Sequence, residues 1–222
     1  MYAPDAPGPH PGIVLAQHIP VGHTGLENDT VTLKTAERYA ENGYAVAVPF
    51  VFHWWPKSDD IQIKRDEFRD DWTTLDMRAA FDHFATEPAV DTSKIAVVGH
   101  CWGGRIAWLA AAQDNRYKAC AIFYGGRIRL AMGPGTPPAI DLAPRIECPV
   151  AGFFGNRDQN PSPEDVDAYA AALAAAGVEH EFHRYDDAGH GFQTFTNPDR
   201  YVEHVSEDAW GKVLAFLGRK LG

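Results

Sequence analysis

The fold is decided by residues 94–104, which read KIAVVGHCWGG. The apolar run predicts a buried strand, and the residues from Trp102 onward predict a helix. A turn this short leaves no room for side chains at Gly99 or Gly103, and it pushes the side chain of Cys101 out at the carboxyl edge of the sheet. We therefore predict that Cys101 is a nucleophile, and not the buried thiol that an isolated cysteine usually is.

Two later stretches supply an acid and a histidine for this cysteine. Asp158 follows an apolar strand predicted at residues 150–155, and His190 lies between two glycines after the last strand-like run. Nucleophile, acid and histidine in this order are typical of α/β-hydrolases and differ from the orders of the two well-known protease types. Asp186 or Asp187 could compete as the acid, but the position after the penultimate strand favours Asp158.

The rest of the chain predicts an α/β fold, specifically an α/β-hydrolase fold in one domain that spans residues 1–222. About six strands alternate with helices, which is typical of a mainly parallel sheet flanked by helices on both faces. The predicted strands are residues 13–18, 44–49, 95–99, 119–124, 150–155 and 179–185. The predicted helices are residues 29–42, 69–86, 102–113, 163–176 and 199–220. Two long loops, 50–60 and 125–147, could carry function.

Composition agrees with a compact enzyme. The chain has 222 residues, 45% of them hydrophobic, and a net charge of −10, which argues against nucleic acid or an anionic membrane as a partner. The sequence contains no run of the roughly 20 apolar residues that a membrane helix needs, and we expect no signal peptide. Its three cysteines form neither a disulfide framework nor a zinc pattern. We expect Cys120 and Cys148 to be buried and the protein to be cytoplasmic. The sequence leaves the oligomeric state open, with a monomer slightly favoured.

Around Cys101, Asp158 and His190 the chain resembles the dienelactone hydrolase (carboxymethylenebutenolidase) family, the cysteine-nucleophile branch of the α/β-hydrolases. The resemblance rests on the motifs at residues 99–104, 155–158 and 189–192, with looser similarity at 13–22 and 43–46. It implies hydrolysis of small-molecule esters or lactones through an acyl-cysteine intermediate, without a metal or organic cofactor. Cys101, His190 and Asp158 would be the nucleophile, the base and the acid that orients the base.

The remaining site residues are expected around this triad. Backbone N–H groups would hold the oxyanion, that of Trp102 from the helix start and that of Ile19 by the resemblance. Two adjacent indoles in a long loop cannot both face inward, so Trp54 is expected to line the pocket. The predicted substrate contacts are His18, Trp54, Tyr124 and Phe192.

The chain departs from the family at two positions. His18 stands where the family has a glutamate near the nucleophile, and a neutral imidazole opposes ionisation of a thiol less than a carboxylate does. Thr194 stands where members that take a dienelactone carboxylate have an arginine, which predicts a preference for neutral or aromatic substrates. Arg127 or Arg129 could restore anion binding, so both substrate types stay open.

Other functions fit parts of the sequence. The same fold can serve as a non-catalytic small-molecule sensor, although a sensor needs no intact triad. A redox-sensing thiol needs a resolving cysteine, and none lies beside Cys101 in the sequence. A metal site formed by His18, His23 and His53 lacks a closely spaced ligand pair. The sequence therefore favours an ester or lactone hydrolase.

Overall fold

The centre of the protein is a six-stranded sheet in which all neighbouring strands are parallel. The computed structural model describes residues 1–19, 25–55 and 61–222. The strands are β1 (His10–Ala16), β2 (Ala45–Ala47), β3 (Val90–His100), β4 (Ala119–Phe123), β5 (Val150–Gly155) and β6 (His180–Tyr185). Their order across the sheet is β2-β1-β3-β4-β5-β6.

Helices cover both faces of this sheet, as expected for the α/β-hydrolase fold. They are α1 (Thr30–Glu41), α2 (Ile61–Asp66), α3 (Asp70–Phe84), α4 (Trp102–Gln113), α5 (Pro163–Ala175) and α6 (Glu203–Leu221), with 3-10 turns at Leu26–Asn28 and Ala139–Arg145. No helix in the described part of the chain has the length and apolar character needed to span a bilayer. Helix α5 begins at a capping box in which Ser162 and Asp165 bind each other's backbone N–H groups.

Alternate residues of the central strands pack on opposite faces. In β1, Val14 and Ala16 join the core formed with α3, α4 and α5, whereas Ile13 and Leu15 join the core formed with α1 and α6. All four are at most 1% exposed. Burial on both faces explains why the strands are continuous apolar runs in the sequence.

The structure confirms the α/β architecture and shifts several element ends. Strand β1 begins at His10 because this residue pairs with Val90 of β3, across an irregularity in register between Pro11 and Gly12. Helix α2 and both 3-10 turns were not expected, since short elements have no clear hydrophobic period. Helix α6 begins at Glu203, later than the predicted residue 199.

The strand order sets the position of the site. Strands β2 and β3 lie on opposite sides of β1, so the winding of the chain changes direction at β1. In open α/β sheets, ligands bind outside the carboxyl ends of the strands at such a point. Residues 17–19 follow β1 and Cys101 follows β3. Both segments therefore reach the same edge of the sheet.

Candidate active site

Cys101 occupies a strained turn between β3 and α4. Its φ of 55° and ψ of −117° are unusual for a residue with a side chain. A Cβ atom on Gly99 would lie 1.9 Å from the carbonyl oxygen of Gly103, and one on Gly103 would lie 2.6 Å from that of Ala16. The Cys101 N–H donates to the Phe123 carbonyl at 2.9 Å, which ties the turn to β4. The sulfur is thus held at the N-terminus of α4.

Three side chains from three loops meet at this turn. The Sγ atom of Cys101 lies 3.0 Å from Nε2 of His190. On the other side of the imidazole, Nδ1 lies 2.8 Å from Oδ2 of Asp158. Asp158 is 2% exposed, and its other oxygen accepts the N–H of Asn160 at 2.8 Å. This arrangement is compatible with a Cys-His-Asp triad.

The two competing acids bind elsewhere. Asp186 accepts a hydrogen bond from the side-chain amide of Asn156 at 2.5 Å, and Oδ2 of Asp187 lies 2.6 Å from Nε2 of His204. Of the three carboxylates, only Asp158 has a hydrogen bond to His190 among the described contacts.

The environment of His190 favours its charged form. Burial lowers the pKa of the imidazole, but its hydrogen bonds to Asp158 and Cys101 outweigh burial and raise the pKa from 6.5 to about 10. The imidazole is therefore protonated at neutral pH. The charged imidazole lies 3.0 Å from the sulfur of Cys101.

A small cavity of about 40 Å³ opens beside the sulfur. Its walls are formed by Cys101, Trp102, Arg105, Gly126, Arg127, Asn160 and His190. The guanidinium carbon of Arg127 lies 4.8 Å from the centre of the Trp102 ring, which is a cation–π contact. An adjoining groove of about 330 Å³ shares Asn160 and His190 with this cavity and contains Arg157 and Arg200.

The four expected substrate contacts lie outside the cavity walls. Tyr124 and Phe192 are fully buried, because the Tyr124 ring packs edge-on against His190 at 5.3 Å and Phe192 packs against Tyr124 at 5.0 Å. Tyr124 thus contacts the imidazole directly and Phe192 contacts Tyr124, and neither side chain exposes surface to a substrate. Trp54 is 41% exposed but donates its indole N–H to Asp76 at 2.9 Å. The other indole, Trp55, is buried.

His18 and His100 are both buried close to the triad. The His18 backbone N–H donates to the Thr32 hydroxyl at 2.9 Å, and burial lowers the pKa of its imidazole to about 4. The His100 ring stacks on Phe123 at 4.3 Å, and burial lowers its pKa to about 3. Both imidazoles are therefore neutral at pH 7.

Two expectations concern residues at or near segments outside the described part of the chain. His23, one member of the considered metal site, lies outside the described residues. Across residues 1–19, 25–55 and 61–222, no three His, Cys, Asp or Glu side chains cluster as metal ligands would. Ile19, which follows β1, is half-buried, and its role in holding the oxyanion stays a prediction.

Two residues of the site were missed from the sequence. Arg105 is 2% exposed and forms a two-pronged ion pair with Asp70, with N···O distances of 2.9 and 2.6 Å. It is the lone charged residue of α4, and such a charge in an apolar helix signals a buried partner. The side chain of Asn160 accepts the N–H of Arg127 at 2.8 Å, for which the sequence carries no signal.

Comparison with known proteins agrees with this geometry. The profile described as "Dienelactone hydrolase family" matches residues 1–221. A carboxymethylenebutenolidase of Rhodococcus opacus is 30% identical over 193 residues, covering 84% of this chain and 74% of that protein. A candidate carboxymethylenebutenolidase of Yersinia pestis is 29% identical over 218 residues, covering 93% of this chain and 77% of that protein. A match to its Escherichia coli K12 counterpart, at 33% identity, covers 63% of this chain and 52% of that one.

Solved structures share the fold. A candidate dienelactone hydrolase of Klebsiella pneumoniae superposes with a TM-score of 0.82 at 24% identity, over 96% of this chain and 89% of that one. A dienelactone hydrolase-like promiscuous phosphotriesterase from metagenomic libraries superposes with a TM-score of 0.77 at 21% identity, over 98% of this chain and 89% of that one. Because a family profile matches nearly every residue, the chain belongs to the dienelactone hydrolase family.

Proposed function

We propose that the protein hydrolyses carboxylic esters or lactones through an acyl-cysteine intermediate on Cys101. The observation that carries this proposal is the hydrogen-bonded series from Cys101 through His190 to Asp158, with distances of 3.0 and 2.8 Å. Membership of the dienelactone hydrolase family and relatives named as carboxymethylenebutenolidases support the same class of reaction.

Acylation begins with the thiolate. The sulfur attacks the ester carbonyl carbon, and the carbonyl electrons move to oxygen, where the N–H groups of Trp102 and Ile19 would stabilise the negative charge. When the tetrahedral adduct collapses, the bond to the alcohol oxygen breaks. His190 gives its Nε2 proton to that oxygen, and a thioester on Cys101 remains. In a lactone, the alcohol stays attached to the acyl group.

Deacylation uses the same groups in reverse. Neutral His190 takes a proton from water, and the resulting hydroxide attacks the thioester carbonyl. Collapse of this adduct breaks the carbon–sulfur bond and regenerates the thiolate with a protonated His190. Asp158 keeps Nδ1 protonated throughout, so that Nε2 always faces the reacting atoms.

The wider setting follows from this chemistry. The substrate is a small-molecule ester or lactone, and the proposed active unit is a monomer with one catalytic domain. We also propose a cytoplasmic location, because a reducing compartment protects a catalytic thiol from oxidation and all three cysteines are free.

Turnover of p-nitrophenyl acetate tests the proposed function. We expect a burst of p-nitrophenol followed by steady release, since acylation by an activated ester precedes a slower hydrolysis. Pretreatment with iodoacetamide should abolish both phases. Cys148→Ala is the matched control, because Cys148 is buried, and its activity should remain sensitive to iodoacetamide. A sensor would bind ligands without steady release, and that result would remove the enzyme proposal.

The pH dependence of Cys101 alkylation tests the role of His18. His18 is neutral above pH 4 or so, and a protonated His190 accompanies the thiolate, so wild-type labelling by iodoacetamide should stay fast down to pH 6. In His18→Glu a carboxylate opposes formation of the thiolate, and labelling at pH 6 should slow severalfold. His18→Gln, which adds no charge, should behave like the wild type. Equal rates in the two variants would show that this position does not act on the sulfur.

A further inference from the structure

Arg127 brings a positive charge to the wall of the cavity beside Cys101. Its side chain is half-buried, and its guanidinium lies over the Trp102 ring. No ion pair found within the described ranges includes this guanidinium, whereas the nearby Arg129 is paired with Asp165 at 2.8 Å. Arg105, the other arginine of the cavity, is neutralised by Asp70. Arg127 is therefore available to an anion that enters the cavity.

The backbone of Arg127 is held by side chains from other elements. Its φ of 55° lies in the left-handed region, which a residue with a side chain adopts only when its surroundings impose it. The N–H donates to Asn160, and the carbonyl oxygen accepts from Arg105, which Asp70 fixes in turn. The backbone of Arg127 is thus held before a ligand binds, and the Trp102 ring orients the guanidinium, which lowers the entropic cost of binding.

The charge around the site has the opposite sign to the whole chain. The protein carries a net charge of −10, yet the groove that adjoins the cavity contains Arg157 and Arg200. The carboxylate of Asp158 is 2% exposed and is covered by the imidazole, so it presents little negative charge to a ligand. A local positive region in an acidic protein attracts anionic substrates to this edge of the sheet.

The cavity beside Cys101 and the adjoining groove differ in size, so they can bind different parts of an ester. The cavity of about 40 Å³ accommodates roughly three water-sized groups. The groove of about 330 Å³ flanks His190, the group that gives a proton to the leaving alcohol. This division assigns the alcohol to the groove and a short acyl group to the cavity that contains Arg127.

We propose that Arg127 binds a carboxylate on the acyl part of the substrate, so that the preferred substrates are half-esters of short dicarboxylic acids such as succinic acid. A guanidinium fork matches a carboxylate with two parallel hydrogen bonds. This inference rests on the proposed hydrolase function. It reverses the preference for neutral substrates that Thr194 predicts from the sequence, because a different arginine supplies the charge.

Two isosteric substrates test the inference. Monoethyl succinate carries the carboxylate, and ethyl succinamate replaces it with a neutral amide of the same size. The wild type should show kcat/KM for monoethyl succinate at least about tenfold higher than for ethyl succinamate, the range expected for hydrogen bonds to a charged group. In Arg127→Gln this ratio should fall to about one. Arg129→Gln, an exposed arginine paired with Asp165, should keep the wild-type ratio.

A binding measurement runs in parallel and needs no turnover. Succinate should slow alkylation of Cys101 by iodoacetamide in the wild type and in Arg129→Gln, but not in Arg127→Gln. A wild-type ratio near or below one, or an unchanged ratio in Arg127→Gln, would overturn the inference while leaving the hydrolase function intact. If neither ester is cleaved while p-nitrophenyl acetate is turned over, the inference is overturned and the hydrolase function stands. If none of the three esters is cleaved, the hydrolase function fails, and protection by succinate alone decides whether Arg127 binds a carboxylate.

Discussion

Cys101→Ala should reduce the turnover of p-nitrophenyl acetate by about three orders of magnitude or more, because the wall of the cavity offers no second thiol and no hydroxyl to replace the sulfur as nucleophile. His190→Ala should reduce turnover by a similar factor, since nucleophile and base act as a unit. Cys101→Ser should also be poor, because a hydroxyl lacks the acidity of a thiol. The change at Cys101 is small and lies on the surface of the cavity, so the thermal midpoint should move little.

Asp158→Asn should reduce the turnover of p-nitrophenyl acetate less than Cys101→Ala or His190→Ala does. It leaves the nucleophile and the base in place and replaces the carboxylate that orients His190 at 2.8 Å with a neutral amide. Steady-state kinetics of the three variants, with circular dichroism as a check on folding, gives the ranking. Wild-type turnover in Cys101→Ala, under conditions where Cys148→Ala is also active, would show that the reaction occurs elsewhere.

Arg105→Met should be among the most destabilising single changes in the protein. The side chains of the Arg105–Asp70 pair are 2% and 3% exposed, so the substitution leaves a buried carboxylate without its partner. Loss of one member of such a pair costs about 3–5 kcal/mol. For a chain of this length, that corresponds to a thermal midpoint lower by roughly 10 °C.

A surface pair provides the matched control. Arg219 contacts Glu181 at 2.8 Å, but the two side chains are 53% and 39% exposed, so Arg219→Met should cost less than about 1 kcal/mol. The double variant Arg105→Met with Asp70→Leu removes both buried charges and should recover part of the loss. Urea denaturation of all three variants measures the difference. Equal stability of Arg105→Met and Arg219→Met would contradict the prediction.

The proximity of Cys101, His190 and Asp158 could be predicted because each residue belongs to a local pattern. The glycines at 99 and 103 specify a turn that only one backbone path satisfies, and Asp158 and His190 each follow a strand end. Parallel strands bring these ends to one edge of the sheet whatever the details of packing. The parallel sheet could also be predicted from the sequence, because strands that are buried on both faces are continuously apolar.

The cavity could not be predicted, because its walls depend on tertiary packing. Tyr124 and Phe192 lie near the triad in the fold, but whether an aromatic ring faces a substrate or supports the imidazole depends on neighbours distant in sequence. The position of Arg127 depends on Asn160 and Arg105, which come from two other segments. Sequence position alone left Arg127 and Arg129 equivalent.

The buried histidines have a consequence for the number of protons that the folded and unfolded chains bind. Unfolded histidines titrate near 6.5, whereas burial holds the pKa values of His18 and His100 at about 4 and about 3. Below pH 6.5 the unfolded chain binds protons at these two histidines and the folded chain does not. Each histidine therefore lowers the free energy of unfolding by up to about 1.4 kcal/mol for each unit by which the pH falls. The stability that they contribute is therefore present above pH 6.5 and is lost as the pH falls through their folded pKa values.

His190 acts in the opposite direction. Its folded pKa of about 10 exceeds the unfolded value, so its contribution is complete below pH 6.5 and is lost as the pH rises through 10. The combined contribution of the three imidazoles is greatest where these two ranges meet, near pH 6.5. Proton linkage thus gives this part of the protein a stability maximum close to neutrality, where the imidazole beside Cys101 is charged and the two behind it are not.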